Sequence, residues 1–533
     1  MRLINTKTYE LKEFMGSNIP RYAVLSHTWE EEEVTFQHFT QLPHDEVTKM
    51  KGYSKIQHTC RLARKSGINW AWVDTCCIDK TSSAELSEAI NSMFMWYADS
   101  AVCYAYLSDL EPDEKKDDKA PIAKYAHCRW FTRGWTLQEL IAPKRMGFYN
   151  KKWAFQGEKT TLSEELAEIT KINQRVLGNG GLLSTIPVAQ RMSWAANRQT
   201  TRVEDLAYCL LGIFGVQIPL LYGEGSKAFI RLQEEIVKES NDLSLFAWRN
   251  PSTSQKYCGI LAASPQDFEY CANIELRGDP MYNNECVITS KGLRFTPVPG
   301  FGLRMPAGAG NAYYTLNLQC HNQGSDEDLG IYLQQHGRDV YTRVRPDSLS
   351  QTLRPNYWAT KDRTFYVTKS VSPVMSVTLG SSHRHAIDIS QAMKALKDIW
   401  FMPDEDQFDP AGHWDTARYL FLTQGMANFT CRAAFTYLGD AVLPVKLVVT
   451  CTCVMQERKP AVHIGMEYAP SSNTTPKPRL DRAIQKWASY QTFSKWLGAD
   501  VQKEVLNGQL VYRLTIDTAC AENFYNFLKS QQI

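Results

Sequence analysis

Four short apolar runs, YAVLS (Tyr22 to Ser26), WAWVD (Trp70 to Asp74), VCYAYL (Val102 to Leu107) and MGFY (Met146 to Tyr149), are spread through the first 150 residues with helical patterns between them. Strands that read apolar throughout, rather than alternating, are buried on both faces, which requires helices on both sides of a mostly parallel sheet. The intervening patterns fit. Tyr53 to Lys65 gathers Ile56, Cys60 and Ala63 on one side. The segment from Ala84 repeats Leu86, Ile90, Met93, Phe94 and Tyr97 at helical spacing, and Ser82 with Glu85 predicts a capping box at its start. The expectation is an α/β domain over residues 1–150.

Ligands of such sheets collect beyond the carboxyl ends of the strands. Ser26, His27 and Trp29 follow the first run, Asp74, Cys76, Cys77 and Asp79 the second, and Ser108 and Asp109 the third. Structural roles stay open for each: His27 as a satisfied loop histidine, Asp74 as a turn cap, the cysteines as inert thiols, the tryptophans as core. No metal-ligand spacing is present.

The run RWFTRGWTLQEL (Arg129 to Leu140) concentrates aromatics, two arginines and one carboxylate. Thr132 is the predicted cap of a helix carrying Trp135, Leu137, Leu140 and Ile141 that Pro143 ends, so Glu139 lies one turn beyond Trp135. Desolvation beside an indole favours a neutral carboxyl, whereas Arg129 and Arg133 favour the charged one, a tension common at catalytic carboxylates. A solvated Glu139 paired with Arg133 or Lys144 is the alternative.

The formal charge of +2, with both signs mixed along the chain, offers no field to gather nucleic acid or an anionic membrane. Fourteen cysteines without a C-x-x-C pair, and a start lacking a signal-like apolar core, predict reduced thiols and a cytoplasmic protein. Leu206 to Gly223 is uncharged, but Gly212, Gly215, Gln217 and Pro219 interrupt it. It reads as a core helix of about ten residues followed by an extended turn, not as a resting membrane span. GEGSK (Gly223 to Lys227) lacks the spacing of a phosphate loop.

Residues 151–244 read as a helical extension: LSEELAEIT, then Trp194 to Phe214, then Lys227 to Lys238 with Phe229, Leu232 and Ile236 turned to a core. Beyond residue 245 the texture alternates. Tyr314, Leu316, Leu318 and Cys320 point one way, and Val445, Leu447, Val449, Cys451 and Cys453 repeat the pattern. This predicts an antiparallel β-rich, sandwich-like domain over residues 245–533, with helices at Ser390 to Leu396 and Arg482 to Trp496.

RYAVLSHTW (Arg21 to Trp29), WVDTCCIDK (Trp72 to Lys80), AELSEAINSMFMWY (Ala84 to Tyr97) and RGWTLQEL (Arg133 to Leu140), in this order, resemble the fungal heterokaryon-incompatibility (HET) domain. The tail RMSWAANRQTTRVEDLAYCLLGIFGVQIPLLYGEG (Arg191 to Gly225) is similar to that family as well. The resemblance implies a role in non-self recognition and programmed cell death, and a TIR/flavodoxin-like α/β fold. Some TIR domains cleave NAD with a glutamate that follows a tryptophan on a helix, a pattern that carries over to Glu139 and Trp135. On that reading NAD or a related nucleotide is the substrate, no resident cofactor or metal is needed, and Ser26, His27, Trp29, Asp74, Arg133 and Trp135 surround it. The alternative is a non-enzymatic death adaptor or scaffold that assembles with itself or with an incompatibility partner protein.

Overall fold

The computed structural model describes the chain except residues 17, 113–124, 279–284, 297–302, 305–312, 338, 353–363, 383–384, 400, 417, 424–425, 427, 439–444, 455–460, 469–496, 507–508 and 519–533. Its N-terminal sheet has seven strands: β1 (Arg2–Asn5), β2 (Leu11–Glu13), β3 (Tyr22–His27), β4 (Trp70–Trp72), β5 (Val102–Tyr106), β6 (Met146–Tyr149) and β7 (Phe155–Glu158), in the order β2-β1-β4-β3-β5-β6-β7. β3 pairs in parallel with β4 and β5, and β5 with β6, so the four predicted runs form a parallel centre. The remaining strands add antiparallel edges. β2 and β7 escaped the sequence reading because LKE and FQGE keep no residue buried and carry no apolar run, and β1 because it buries only Leu3 and Ile4.

Every residue of β3 is buried, as a central strand covered on both faces requires. Ala23 packs with Ala63 from helix Tyr53–Lys65, while the Tyr22 hydroxyl donates to the Trp96 carbonyl of helix Ser83–Ala98 on the opposite face. Ser26 shares the Tyr22 face by strand alternation. The second predicted strand stops two residues early: β4 ends at Trp72, and Asp74 opens a short helix, Asp74–Cys77, closed by the Cys77 N–H donating to Val73 O. The capping box is half formed. Ser82 accepts from the Glu85 N–H, but the Glu85 carboxylate accepts from the Asp79 N–H and pairs with Arg2.

In the extension, helix Lys227–Glu239 buries Phe229, Leu232 and Ile236 as its spacing predicts. The ten-residue helix expected from Leu206 is instead two pieces, Asp205–Tyr208 and Leu211–Phe214. Gly212 is pressed against helix Ser83–Ala98, where a Cβ would lie 2.1 Å from Phe94 Cβ, so its place in the run reflects close packing.

Beyond residue 245 the described strands form sheets of ten, five and four strands. Strand Tyr314–Asn322 buries Tyr314, Leu316, Leu318 and Cys320 as read. Most pairs are antiparallel, with parallel ones between Val340–Val344 and Phe365–Val367 and between His385–Asp388 and Gln509–Asp517. A helix spans Ser390–Asp398; the one expected at Arg482 to Trp496 lies outside the described residues. One apolar core runs without a break from Leu3 to Val367, and a second joins Ile387 to Ile516. Every cysteine from Cys60 to Cys451 is a free thiol. No helix among the described residues is long and apolar enough to cross a membrane.

Candidate functional site

The carboxyl ends of β3 and β4 face the segment that carries Glu139. That segment begins with a 3-10 turn, Arg129–Thr132, whose Thr132 hydroxyl donates back to Arg129 O, so Thr132 does not cap the next helix. Arg133 is extended, and helix Thr136–Ile141 starts after Trp135. Two N–H groups donate across to the extension and back: Gly134 to Gln199 O at 2.9 Å and Gln199 to Thr132 O at 2.6 Å. Arg198, buried, donates to Arg133 O at 2.8 Å and Thr136 Oγ1 at 3.0 Å. At the far end the Lys159 ammonium donates to the Leu140, Ile141 and Pro143 carbonyls, which the short helix leaves unpaired. The helix that bears Glu139 is thus fixed at both ends by buried cations on carbonyl oxygens.

Glu139 is buried, not solvated, and neither Arg133 nor Lys144 forms an ion pair with it. Its Oε2 accepts from Ser26 Oγ at 2.5 Å, and Ser26 Oγ accepts from Trp130 Nε1 at 2.8 Å. Arg129, expected near Glu139, points elsewhere, to Glu30 and Asp109. Burial pushes the Glu139 carboxyl up to about 8; the hydrogen bond from Ser26 and the charge of Arg133 offset part of this, and the charge of Asp74 adds to it.

Asp74 has the opposite environment. His27 Nε2 lies 3.0 Å from Oδ1 and Trp29 Nε1 donates to Oδ2 at 2.8 Å. Burial opposes its ionisation, but the His27 hydrogen bond, the nearby Lys80 charge and the Trp29 N–H outweigh it and hold Asp74 down at about 2. Lys80 Nζ sits 3.3 Å from the centroid of the Trp29 ring.

These groups line a cavity of about 310 Å³. His27, Trp29, Asp74, Arg133, Trp135 and Glu139 all border it, so six of the seven residues singled out from sequence are brought together. Ser26 is the exception: fully buried, it reaches the cavity only through Glu139. Ile78, Leu86, Ile90 and Met93 supply an apolar wall. Sequence reasoning missed Lys80 and the contribution of the extension, Thr201, Arg202, Asp205 and Tyr222. The Tyr222 hydroxyl donates to Asp205 Oδ1 at 3.0 Å, and the Arg202 guanidinium stacks over the Tyr222 ring at 4.4 Å. The signal for them was the charged cluster TTRVED inside the tail motif, read only as helix. Among the described residues no group of three or more His, Cys, Asp or Glu is arranged to hold a metal ion. Cys76 and Cys77 are buried, as inert thiols would be.

The sequence profile described as heterokaryon incompatibility protein (HET) matches residues 22–122. A stretch of 250 residues is 45% identical to the vegetative incompatibility protein HET-E-1 of Podospora anserina, covering 46% of this chain. The chain carries a HET domain. The aligned stretch is 18% of the length of that relative. A profile for a domain of unknown function, DUF8212, matches residues 227–292, and no solved structure matches the chain. The matched HET segment contains Ser26, His27, Trp29, Asp74 and Lys80, while Arg133, Trp135, Glu139 and the residues from Thr201 to Tyr222 lie beyond it, so the cavity lies between the HET segment and the chain that follows.

Proposed function

We propose that this protein is an effector of heterokaryon incompatibility and cell death that acts by hydrolysing NAD in the Glu139 cavity. The observation that carries the reading is the burial of one carboxyl group, Glu139, at a cavity that also presents Trp29, Trp135 and Tyr222 as ring platforms and Lys80, Arg133 and Arg202 as cations. The relative's name supports incompatibility as the setting. Strand order supports the TIR-like comparison: across the sheet, the four parallel strands, counted in chain order, lie second, first, third, fourth, as flavodoxin-like sheets begin, and ligands of those sheets bind where the order reverses.

Breaking the nicotinamide–ribose bond leaves an oxocarbenium-like centre that a carboxylate stabilises, and nicotinamide departs neutral without needing a proton. Glu139 does this in its ionised form, which the cationic pyridinium beside it favours. The phosphates lie towards Arg133 and Arg202. The test is purified full-length protein at high concentration with NAD, followed by nicotinamide release, beside Glu139→Ala. Turnover lost in a folded variant is the expected result. Silence of the wild type, or turnover that survives in the variant, overturns the reading; silence with self-association coupled to killing is the outcome that an adaptor would give.

A further inference from the structure

Glu139 and Asp74 line one cavity with contrasting partners. Asp74 accepts from the N–H groups of His27 and Trp29 and is faced by the Lys80 ammonium, a set that holds an anion. Glu139 meets hydroxyl groups: Ser26 Oγ at 2.5 Å, itself held by Trp130 Nε1, and the Tyr97 hydroxyl, whose one proton goes to Leu25 O at 3.0 Å, so that its oxygen is left to accept from a protonated carboxyl group. The other titratable or charged groups facing Glu139 are Asp74 across the cavity, Arg133 from the extended stretch before helix Thr136–Ile141, Arg198 from the extension, and the Cys103 thiol of β5. None of the cations forms an ion pair with it. Burial without a paired cation keeps the proton on Glu139, so one cavity presents a fixed anion beside a protonated carboxyl group.

That division of labour suits a leaving group that must be protonated. We propose that the cavity also cleaves the N-glycosidic bond of purine nucleotides, with Glu139 as the acid and Asp74 as the anion that faces the ribosyl cation. The C1′–N bond breaks with its electron pair moving to the base, and the Glu139 proton passes to a ring nitrogen of the departing purine. Asp74 stays ionised opposite the oxocarbenium centre. Water then adds to C1′ and yields its proton to the Glu139 carboxylate, which restores the acid; the net change is nucleotide plus water to ribose phosphate plus free base. Arg133, Arg202 and Lys80 are the cations available to the phosphates. The proposal rests on the reading of this cavity as an N-glycoside site but not on NAD as its substrate.

The two substrate classes need opposite forms of Glu139, which separates them in a single experiment. Full-length protein is incubated with ADP or with NAD from pH 6 to pH 9, and adenine and nicotinamide are followed by chromatography. Adenine release from ADP about tenfold faster at pH 6 than at pH 9, since Glu139 ionises near 8, is the expected result. Glu139→Gln and Asp74→Asn each abolish it, with melts at pH 6 to show that the variants fold. The wild-type profile stands even if a variant does not fold. Nicotinamide release without adenine release overturns this proposal and leaves NAD hydrolysis standing. Adenine release alone does the reverse, and adenine release that rises with pH or survives both substitutions removes the acid assignment.

Discussion

The Ser26 hydroxyl donates to Glu139 Oε2 at 2.5 Å from 113 residues away in the chain, because Trp130 Nε1 fills the accepting side of Ser26 Oγ at 2.8 Å and leaves its proton to the carboxyl group. The central strand and the Glu139 helix are joined through that one oxygen. Ser26→Ala removes it and leaves a buried indole N–H without a partner, at a cost of about 1–3 kcal/mol. Its removal also takes away a hydrogen bond that lowers the Glu139 pKa, so the acidity limb of nicotinamide release is expected to move above that of the wild type. Ser26→Thr, which keeps the hydroxyl, is the control. A pH profile of activity alongside a thermal melt checks both effects, and an unmoved limb in Ser26→Ala removes Ser26 from the site.

Glu139 also makes the fold sensitive to pH. Its folded value of about 8 lies above the ordinary 4.5, so the stability it contributes is fully present below the unfolded value. Between the two an unfolded chain releases a proton that the folded chain keeps, and stability falls as pH rises through about 8. Glu139→Gln cannot ionise. Its stability relative to wild type is expected to improve from pH 5 to pH 9 by on the order of a few kcal/mol. Melts at the two values decide this; an equal difference at both shows that Glu139 is not held protonated.

The parallel strands and the two long helices flanking them were legible because burial on both faces leaves an unbroken apolar run and a buried helix face leaves a repeat of three and four. Glu139 was found because it is the lone carboxylate among aromatics. Its geometry was not legible: Thr132 sits before an RGW strap that only Gln199 and Arg198 explain, and those contacts lie more than 60 residues away. Lys80, Arg202 and Tyr222 were missed for the same reason. Charged residues in a loop read as solvated until the fold shows which of them face a cavity. The edge strands β2 and β7 escaped because an edge needs only one partner and little apolar content, and β1, paired on both sides, because its four residues hold only Leu3 and Ile4 as an apolar run.

Gly134 tests the strap. A Cβ there would lie 2.5 Å from Thr200 Cγ2 and 3.1 Å from Cys209 Sγ. Gly134→Ala is therefore expected to cost about 1–3 kcal/mol by overpacking and to push Arg133 away from Thr201, whose hydroxyl accepts from it at 3.3 Å. Thr200→Ser deletes the nearer methyl group and is expected to recover part of the loss in the double variant. Melting temperatures of the four proteins of the cycle provide the check, and additive effects would mean that the two positions do not touch.

The last expectation concerns where the chain can be cut. Packing is continuous across residue 244. Gln233 Nε2 donates to Ala262 O and Gln233 Oε1 accepts from the Ala262 N–H, both at 2.9 Å, while Asp242 and Ser244 accept from the Val188 and Ala189 N–H groups. Arg343, fully buried, donates to the Phe246 and Trp248 carbonyls. A chain ended at residue 240 loses the apolar side chains that cover Phe229, Leu232 and Ile236. At about 2 kcal/mol for each large side chain left exposed, only a few such losses use up the 5–15 kcal/mol margin of a typical domain. One ended at residue 371 keeps the whole core that runs from Leu3 to Val367 and drops the separate core beyond Ile387. The longer fragment is expected to be soluble with a cooperative melt, and the shorter one to aggregate or unfold without a transition. Because every residue lining the cavity lies between His27 and Tyr222, the longer fragment is also expected to retain whatever nucleotide chemistry the full chain performs. A well-folded fragment ending at residue 240 would show that the extension does not depend on the sheet that follows it.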